Sequence, residues 1–329
     1  MKAVICKAFG PPETLAFQDV EPPALEPGSV RIAVHATGVN FPDLLLIEGK
    51  YQVRPPFPFS PGLECSGIVT ECGPGVDAPA PGTRVLAYVS YGGMAEEVVA
   101  PAECVIPIPD AMPFDVAAAF PVVYATGYHA LVGRGALAEG ETLLVQGASG
   151  GVGLSAVEIG KCLGATVIAA ASSDEKLARA REHGADHMVN YRTEDLRERV
   201  KALTDGRGAD VIYDPVGGDI FDTSMRCIAW NGRLLVIGFA SGRIAEAKTN
   251  IILLKEISVV GVAWGAFAQR DRAANRAYFG DLFRWYEAGA LKPLVSRRLP
   301  LEEAPAALDA FRSRSVVGKQ VLTVERPGG

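Results

Sequence analysis

The chain has 329 residues, 49% of them hydrophobic and 21% charged, which is more than one ordinary core and suggests two domains or one large α/β unit. Those fractions exclude disorder, a coiled coil and a collagen-like chain. The 32 basic and 38 acidic side chains give a net charge of −6 with no basic block, so a phosphate-tracking nucleic-acid surface is not expected.

Six scattered cysteines (Cys6, Cys65, Cys72, Cys104, Cys162 and Cys227) form no C-x-x-C pair and read as buried thiols in a reducing compartment. The start, Met1-Lys2-Ala3-Val4-Ile5-Cys6, is strand-like and lacks the apolar region of a secretory signal. The apolar stretch 116–125 is broken by Pro121 and too short to span a bilayer. A cytoplasmic protein with no membrane contact is the expectation.

Up to about Phe120 the chain is proline-rich and predicted to be an irregular, mostly β domain. Residues 30–36 alternate in the strand manner, and 67–70 and 84–89 are β-branched runs bounded by Pro and Gly. One short helix follows Asn40, with Pro42 suited to its first turn and Asp43 to its dipole. Prolines within 101–113 exclude a regular helix there.

From about Asp115 strands and helices alternate. Strands are predicted at 142–146, 166–171, 188–191, 210–213, 233–238 and 257–263. The first intervening helix carries Val152, Ala156, Ile159 and Leu163 on one stripe. Thr193 reads as the N-cap of a helix bearing Leu196, Val200 and Leu203. Six strands in this rhythm predict a doubly wound parallel sheet, an α/β fold. The tail holds a long helix, 270–288, and a last strand, 320–324, expected to fold back onto the first domain.

Between the first of these strands and its helix lies Gln146-Gly147-Ala148-Ser149-Gly150-Gly151-Val152-Gly153. The dinucleotide fingerprint appears as Ala148-x-Gly150-x-x-Gly153, with a pyrophosphate expected over the N–H groups of Gly150, Gly151 and Val152. About twenty residues on, where NAD sites usually carry an acid, the chain reads Ala171-Ser172-Ser173-Asp174-Glu175-Lys176. Ser172, Ser173 and Lys176 suit a 2′-phosphate, which favours NADPH. Ser172 also reads as a helix cap, with Glu175 closing a capping box. A one-residue shift would aim Asp174 at the ribose.

The run Gly38-Val39-Asn40-Phe41-Pro42-Asp43, the Pro61-Gly62-Leu63-Glu64 segment, the glycine turn and Gly184-Ala185-Asp186 with Asn190-Tyr191-Arg192 together resemble a known family. It is the zinc-independent quinone oxidoreductase branch, related to zeta-crystallin, of the medium-chain dehydrogenase/reductase superfamily. The resemblance implies a GroES-like mostly β domain built from both chain ends (1–120 and 265–329) around a Rossmann domain (121–264). Zinc-containing relatives have a histidine at the position of Leu63, a cysteine near Gly38 or Asn40, and a four-cysteine lobe. Here residues 73–103 hold no cysteine, so neither a catalytic nor a structural zinc site is expected.

Without a metal, hydrogen-bond donors must stabilise the oxyanion that develops on the substrate. The resemblance points to Asn40, Asp43, Tyr51 and Thr126, with Thr126 at the nicotinamide ribose or ring; where some quinone reductases carry a second tyrosine, this chain has Leu45. Asn40 and Asp43 have a rival reading as a structural helix cap and dipole partner. The resemblance adds Tyr191 near the adenine and Arg314 at the 2′-phosphate. It also places Gly238, Phe239, Ala240, Val262 and Trp264 in loops that hold the carboxamide, Trp264 having a rival reading as an interface aromatic. Lys319 reads as a solvated lysine at the start of a strand.

The expected activity is NADPH-dependent reduction of a quinone, with reduction of α,β-unsaturated carbonyls as the alternative. A non-catalytic crystallin-like or RNA-binding role is a third reading, disfavoured by the acidic balance. The last parallel strand, almost continuously apolar and at the sheet edge, predicts a homodimer centred on Val259 to Val262.

Overall fold

The computed structural model describes residues 1–325. They fall into two units, residues 1–122 with the segment from 293 onward, and residues 123–292. In the first unit β1 (Lys2–Ile5) pairs antiparallel with β2 (Ala16–Asp19). The long β3 (Ser29–Val39) runs into α1 (Phe41–Ile47). β4 (Glu64–Cys72), β5 (Arg84–Tyr88), β6 (Glu97–Pro101), β7 (Val105–Pro107) and the short α2 (Phe114–Ala118) follow.

The chain then enters α3 (Pro121–Tyr128) and the alternating region. There β8 (Thr142–Gln146), α4 (Gly151–Cys162), β9 (Thr166–Ala171), α5 (Asp174–Glu182) and β10 (His187–Asn190) build one half. The other half comprises α6 (Leu196–Leu203), β11 (Ala209–Asp214), α7 (Gly218–Cys227), β12 (Ile228–Val236), α8 (Thr249–Lys255) and β13 (Ser258–Gly261). Two helices, α9 (Trp264–Arg270) and α10 (Arg272–Glu287), close this unit. The tail returns to the first unit as β14 (Val295–Pro300), α11 (Ala304–Arg312) and β15 (Lys319–Thr323).

Among the described residues, the second unit holds a six-stranded sheet in the order β10-β9-β8-β11-β12-β13, every pair parallel. Strand order reverses between β8 and β11, the switch point at which open α/β sheets bind ligands. Leu144, Ile168, Val189, Ile212 and Leu234 cover one face with Phe221 and Met225 of α7. This is the Rossmann arrangement predicted from strand–helix rhythm. The first unit's sheet runs β14-β15-β3-β4-β5-β7, with β6 also on β3. The last strand, β15, lies antiparallel to β3, pairing Gln320 with Val39. Both chain ends therefore share one GroES-like sheet.

Several expectations need correction. Residues 265–292 belong with the second unit rather than the tail, Phe267, Tyr278 and Trp285 packing against Tyr128 and His129. The predicted helix 270–288 is α10, which starts after Asp271, whose side chain accepts from the Ala274 N–H; the shorter α9 before it was not predicted. Asp195, not Thr193, caps α6 by accepting from the Glu198 N–H. Ser173, not Ser172, caps α5. No helix of the described residues is long and apolar enough to cross a membrane.

Candidate active site

The chain leaves β8 through Gly147, whose φ of +58° lies in the left-handed region that glycine tolerates. Gly150 is the N-cap of α4, and the first intrahelical bond runs from Leu154 N–H to Gly150 O at 2.8 Å. The N–H groups of Gly151, Val152 and Gly153 precede that bond and have no acceptor inside the helix. A Cβ on Gly153 would sit 2.3 Å from Gly147 O, so glycine is what lets helix and turn pack. A Cβ on Gly150 would meet only Gly147 O, at 3.6 Å, which leaves the front of the turn open. Open space before three oriented N–H groups at a positive helix end suits an anion.

The neighbouring turns converge on this point. A Cβ on Gly147 would touch Val216 and Pro215, just past β11. Asp214 shapes that turn by accepting from Val216 N–H at 2.8 Å and Gly217 N–H at 2.9 Å, while burial pushes its carboxyl up. Ala240 N–H donates to Pro215 O, which ties the Gly238-Phe239-Ala240 loop to the same turn. Val262 N–H donates to Val236 O at the end of the next strand. Trp264 is buried one step further on, its indole N–H given to Asn275 Oδ1 at 2.8 Å.

At the end of β9, Ser173 Oγ accepts from the Lys176 backbone N–H at 3.4 Å, and Lys176 Nζ lies 3.5 Å from Ser172 Oγ. Two hydroxyls and an ammonium thus gather beside a helix N-terminus. Asp174, by contrast, accepts from Asn190 Nδ2 at 2.8 Å and is drawn toward the end of β10. Tyr191 is half-buried there and packs against the core. Thr126 is half-buried on α3. Arg314 belongs to the other unit, exposed just beyond α11 with a φ of +54°.

In the first unit, Asn40, one of the predicted donors, is part of a buried polar cluster. Glu64, with no exposed surface, accepts through Oε1 from Asn40 Nδ2 at 2.8 Å and Lys319 Nζ at 2.7 Å. Its Oε2 accepts from the Val122 N–H at 2.7 Å. Lys319 Nζ also donates to Asn40 Oδ1 at 2.6 Å and Val39 O at 2.9 Å. Gly38 makes room for this, since a Cβ there would lie 2.3 Å from Glu64 Oε1. Asp43 is fully buried and accepts from the N–H groups of Asn40 at 2.8 Å and Gly62 at 3.2 Å. Burial pushes its carboxyl up to about 7 despite those donors and the Lys319 charge. Tyr51 is half-buried against the cluster that includes Leu44, Ile47 and Phe59, and burial together with Asp43 raises its phenol.

Lys319 is therefore buried rather than solvated, and its pairing with Glu64 around the Asn40 amide is what sequence reasoning missed. The available signal was Glu64 itself, an acid in an otherwise apolar strand entry. Leu63 is buried, and among the described residues no group of three or more His, Cys, Asp or Glu is placed to hold a metal ion.

Residues 26–110 match the family model of the alcohol dehydrogenase GroES-like domain, and residues 151–278 that of zinc-binding dehydrogenases. A quinone oxidoreductase-like protein 2 homolog of Nematostella vectensis is 38% identical over 328 residues, covering 99% of this chain and 89% of its own length. A quinone oxidoreductase of Pseudomonas aeruginosa is 34% identical, covering 98% of this chain and 99% of its own. Among solved structures, Escherichia coli quinone oxidoreductase complexed with NADPH matches with a TM-score of 0.92 and 28% identity, covering 98% of this chain and 100% of its own. Mycobacterial Rv1454c complexed with NADPH matches with a TM-score of 0.92 and 30% identity, over 98% and 100%. With near-complete coverage and a shared two-unit architecture, the chain belongs to the quinone oxidoreductase, zeta-crystallin-like branch of the medium-chain dehydrogenase/reductase superfamily.

Proposed function

We propose that this reductase uses NADPH to reduce a quinone without a metal. The observation that carries the cofactor choice is the end of β9: Ser172, Ser173 and Lys176 gather while Asp174 is engaged by Asn190. Two hydroxyls and a cation complement a phosphate dianion, whereas a ribose hydroxyl calls for the carboxylate. The NADPH-bound relatives support the same reading.

Bound NADPH supplies a hydride. Gly150, Gly151, Val152 and Gly153 would hold the pyrophosphate at the α4 N-terminus, and Tyr191 would assist Ser172, Ser173 and Lys176 at the 2′-phosphate end. Gly238, Phe239, Ala240 and Val262 would hold the carboxamide from the carboxyl ends of the strands, backed by Trp264. On the substrate side, Asn40 and Tyr51 donate to the oxygen on which negative charge develops, while Thr126 would meet the nicotinamide ribose or ring. Asp43 serves by holding the Asn40 and Gly62 backbones.

The protein also works as a homodimer in this reading. β13 is the sheet edge, with Val259 and Val260 half-buried, and Trp230, Leu253 and Leu254 are among the most exposed apolar side chains.

The deciding experiment measures NADPH oxidation, without oxygen, against a panel of benzoquinones, naphthoquinones and α,β-unsaturated ketones. Turnover with a quinone supports the proposal. Turnover with enones alone assigns the reductase of activated double bonds, and no quinone turnover at all overturns the proposal.

A further inference from the structure

Asn40 is an amide between two groups of fixed polarity. An ammonium only donates and a carboxylate only accepts. The amide atom 2.6 Å from Lys319 Nζ must therefore be the oxygen, and the atom 2.8 Å from Glu64 Oε1 must be the nitrogen. Reversing the amide would face nitrogen with ammonium and oxygen with carboxylate. The cluster is buried: Asn40 is 5% exposed, Lys319 5% and Glu64 0%. In such a setting a reversed amide is strongly disfavoured.

Fixing the polarity also fixes what is left to offer. Nδ2 carries two N–H bonds. One goes to Glu64, and the other has, among the described residues, Gly38 O at 3.4 Å. That contact is long enough for a better-placed acceptor to replace it. A reversed amide would present its carbonyl oxygen instead, which repels an oxyanion.

We propose that Lys319 is a positioning residue for the reduction: with Glu64 it locks the Asn40 amide so that an N–H, not a carbonyl, remains available to the substrate oxygen. This rests on the reading that Asn40 meets that oxygen. Lys319 comes from the start of β15, so the last strand of the sheet sets the orientation of a side chain at the end of β3.

The test uses the full-length protein with two changes, Lys319→Met and the double variant Lys319→Met/Glu64→Gln. Lys319→Met leaves a buried carboxylate without its cation and should melt at lower temperature. The double variant removes both charges, so its melting temperature should recover toward the parent. Glutamine offers either polarity, so the amide is no longer locked. The expected result is kcat with a quinone lowered roughly 10-fold or more in the folded double variant. NADPH affinity, followed by fluorescence, should stay at the parental value. A folded double variant with parental kcat overturns the proposal.

A second arm needs no substrate. In protein labelled with 15N-asparagine, the Asn40 amide pair is assigned by its disappearance in Asn40→Leu. It should exchange slowly with solvent in the parent and faster in the double variant. Exchange at the free-amide rate in the parent also overturns the proposal. A parent that reduces no quinone sinks the functional reading, while the exchange arm still judges the lock.

Discussion

Replacing Lys176 should separate NADPH from NADH. Its ammonium is the one cation of the β9 cluster, half-buried and 3.5 Å from Ser172 Oγ, while its backbone N–H satisfies the Ser173 cap. Lys176→Ala keeps the cap and the helix, because alanine is the strongest helix former, and removes only the charge. Losing one charge-assisted phosphate contact costs about 1.5–3 kcal/mol. That is a roughly 10- to 140-fold weaker Kd for NADPH. NADH has no phosphate at that place and should bind as before. Lys176→Glu should lower NADPH affinity further, since it puts a negative charge beside a dianion. Fluorescence titration of both cofactors at two salt concentrations measures this, and the penalty on NADPH should shrink at high salt as the charge pair is screened. Equal weakening of NADPH and NADH would refute the argument and mean that the helix, not phosphate recognition, had been damaged.

Gly153→Ala should destabilise the fold by about 1–3 kcal/mol, because its Cβ has backbone at 2.3 Å and no flexible group to displace; a melting temperature equal to the parent's would contradict this packing. Burial raises the Asp43 carboxyl from 3.8 to about 7, so the folded state binds that proton more tightly than the unfolded one. This contribution is fully present below 3.8 and lost as pH rises through about 7. Denaturant titrations across that window should show a steeper fall in stability for the parent than for Asp43→Asn, and parallel curves would reject the assignment. Light scattering should report about twice 34.7 kDa for the parent and a shift toward monomer for Val260→Lys at the β13 edge. A monodisperse parental monomer would reject the dimer.

The parallel sheet was legible because its strands are short apolar β-branched runs that repeat with amphipathic helices. The same sequence reading failed where local signals compete. Ser172 and Ser173 both carry a capping hydroxyl, and Ser173, directly before the helix, is the one that accepts from the Lys176 N–H. α8 escaped notice because Leu253 and Leu254 are exposed while Ile251 and Ile252 pack inward, so no clean stripe is written in the sequence. Periodicity revealed a helix near 270–288 but not the core it docks on, hence the misplaced boundary. Asn40 was found through a motif; Lys319 belongs to no local pattern, and its partner Glu64 lies 255 positions away. Long-range pairing of that kind is invisible to composition and spacing.

The placement of β15 also bears on how the chain is made. The second unit is one uninterrupted stretch, residues 123–292, and is complete while the tail is still being synthesised. The first unit cannot close until Lys319 emerges to neutralise Glu64 and to pair with β3. The N-terminal third thus waits with an uncompensated acid and an unpaired strand edge, the kind of exposure on which nascent chains aggregate and chaperones act. A ribosome stalled before Lys319 would hold a finished second unit and an unfinished first one.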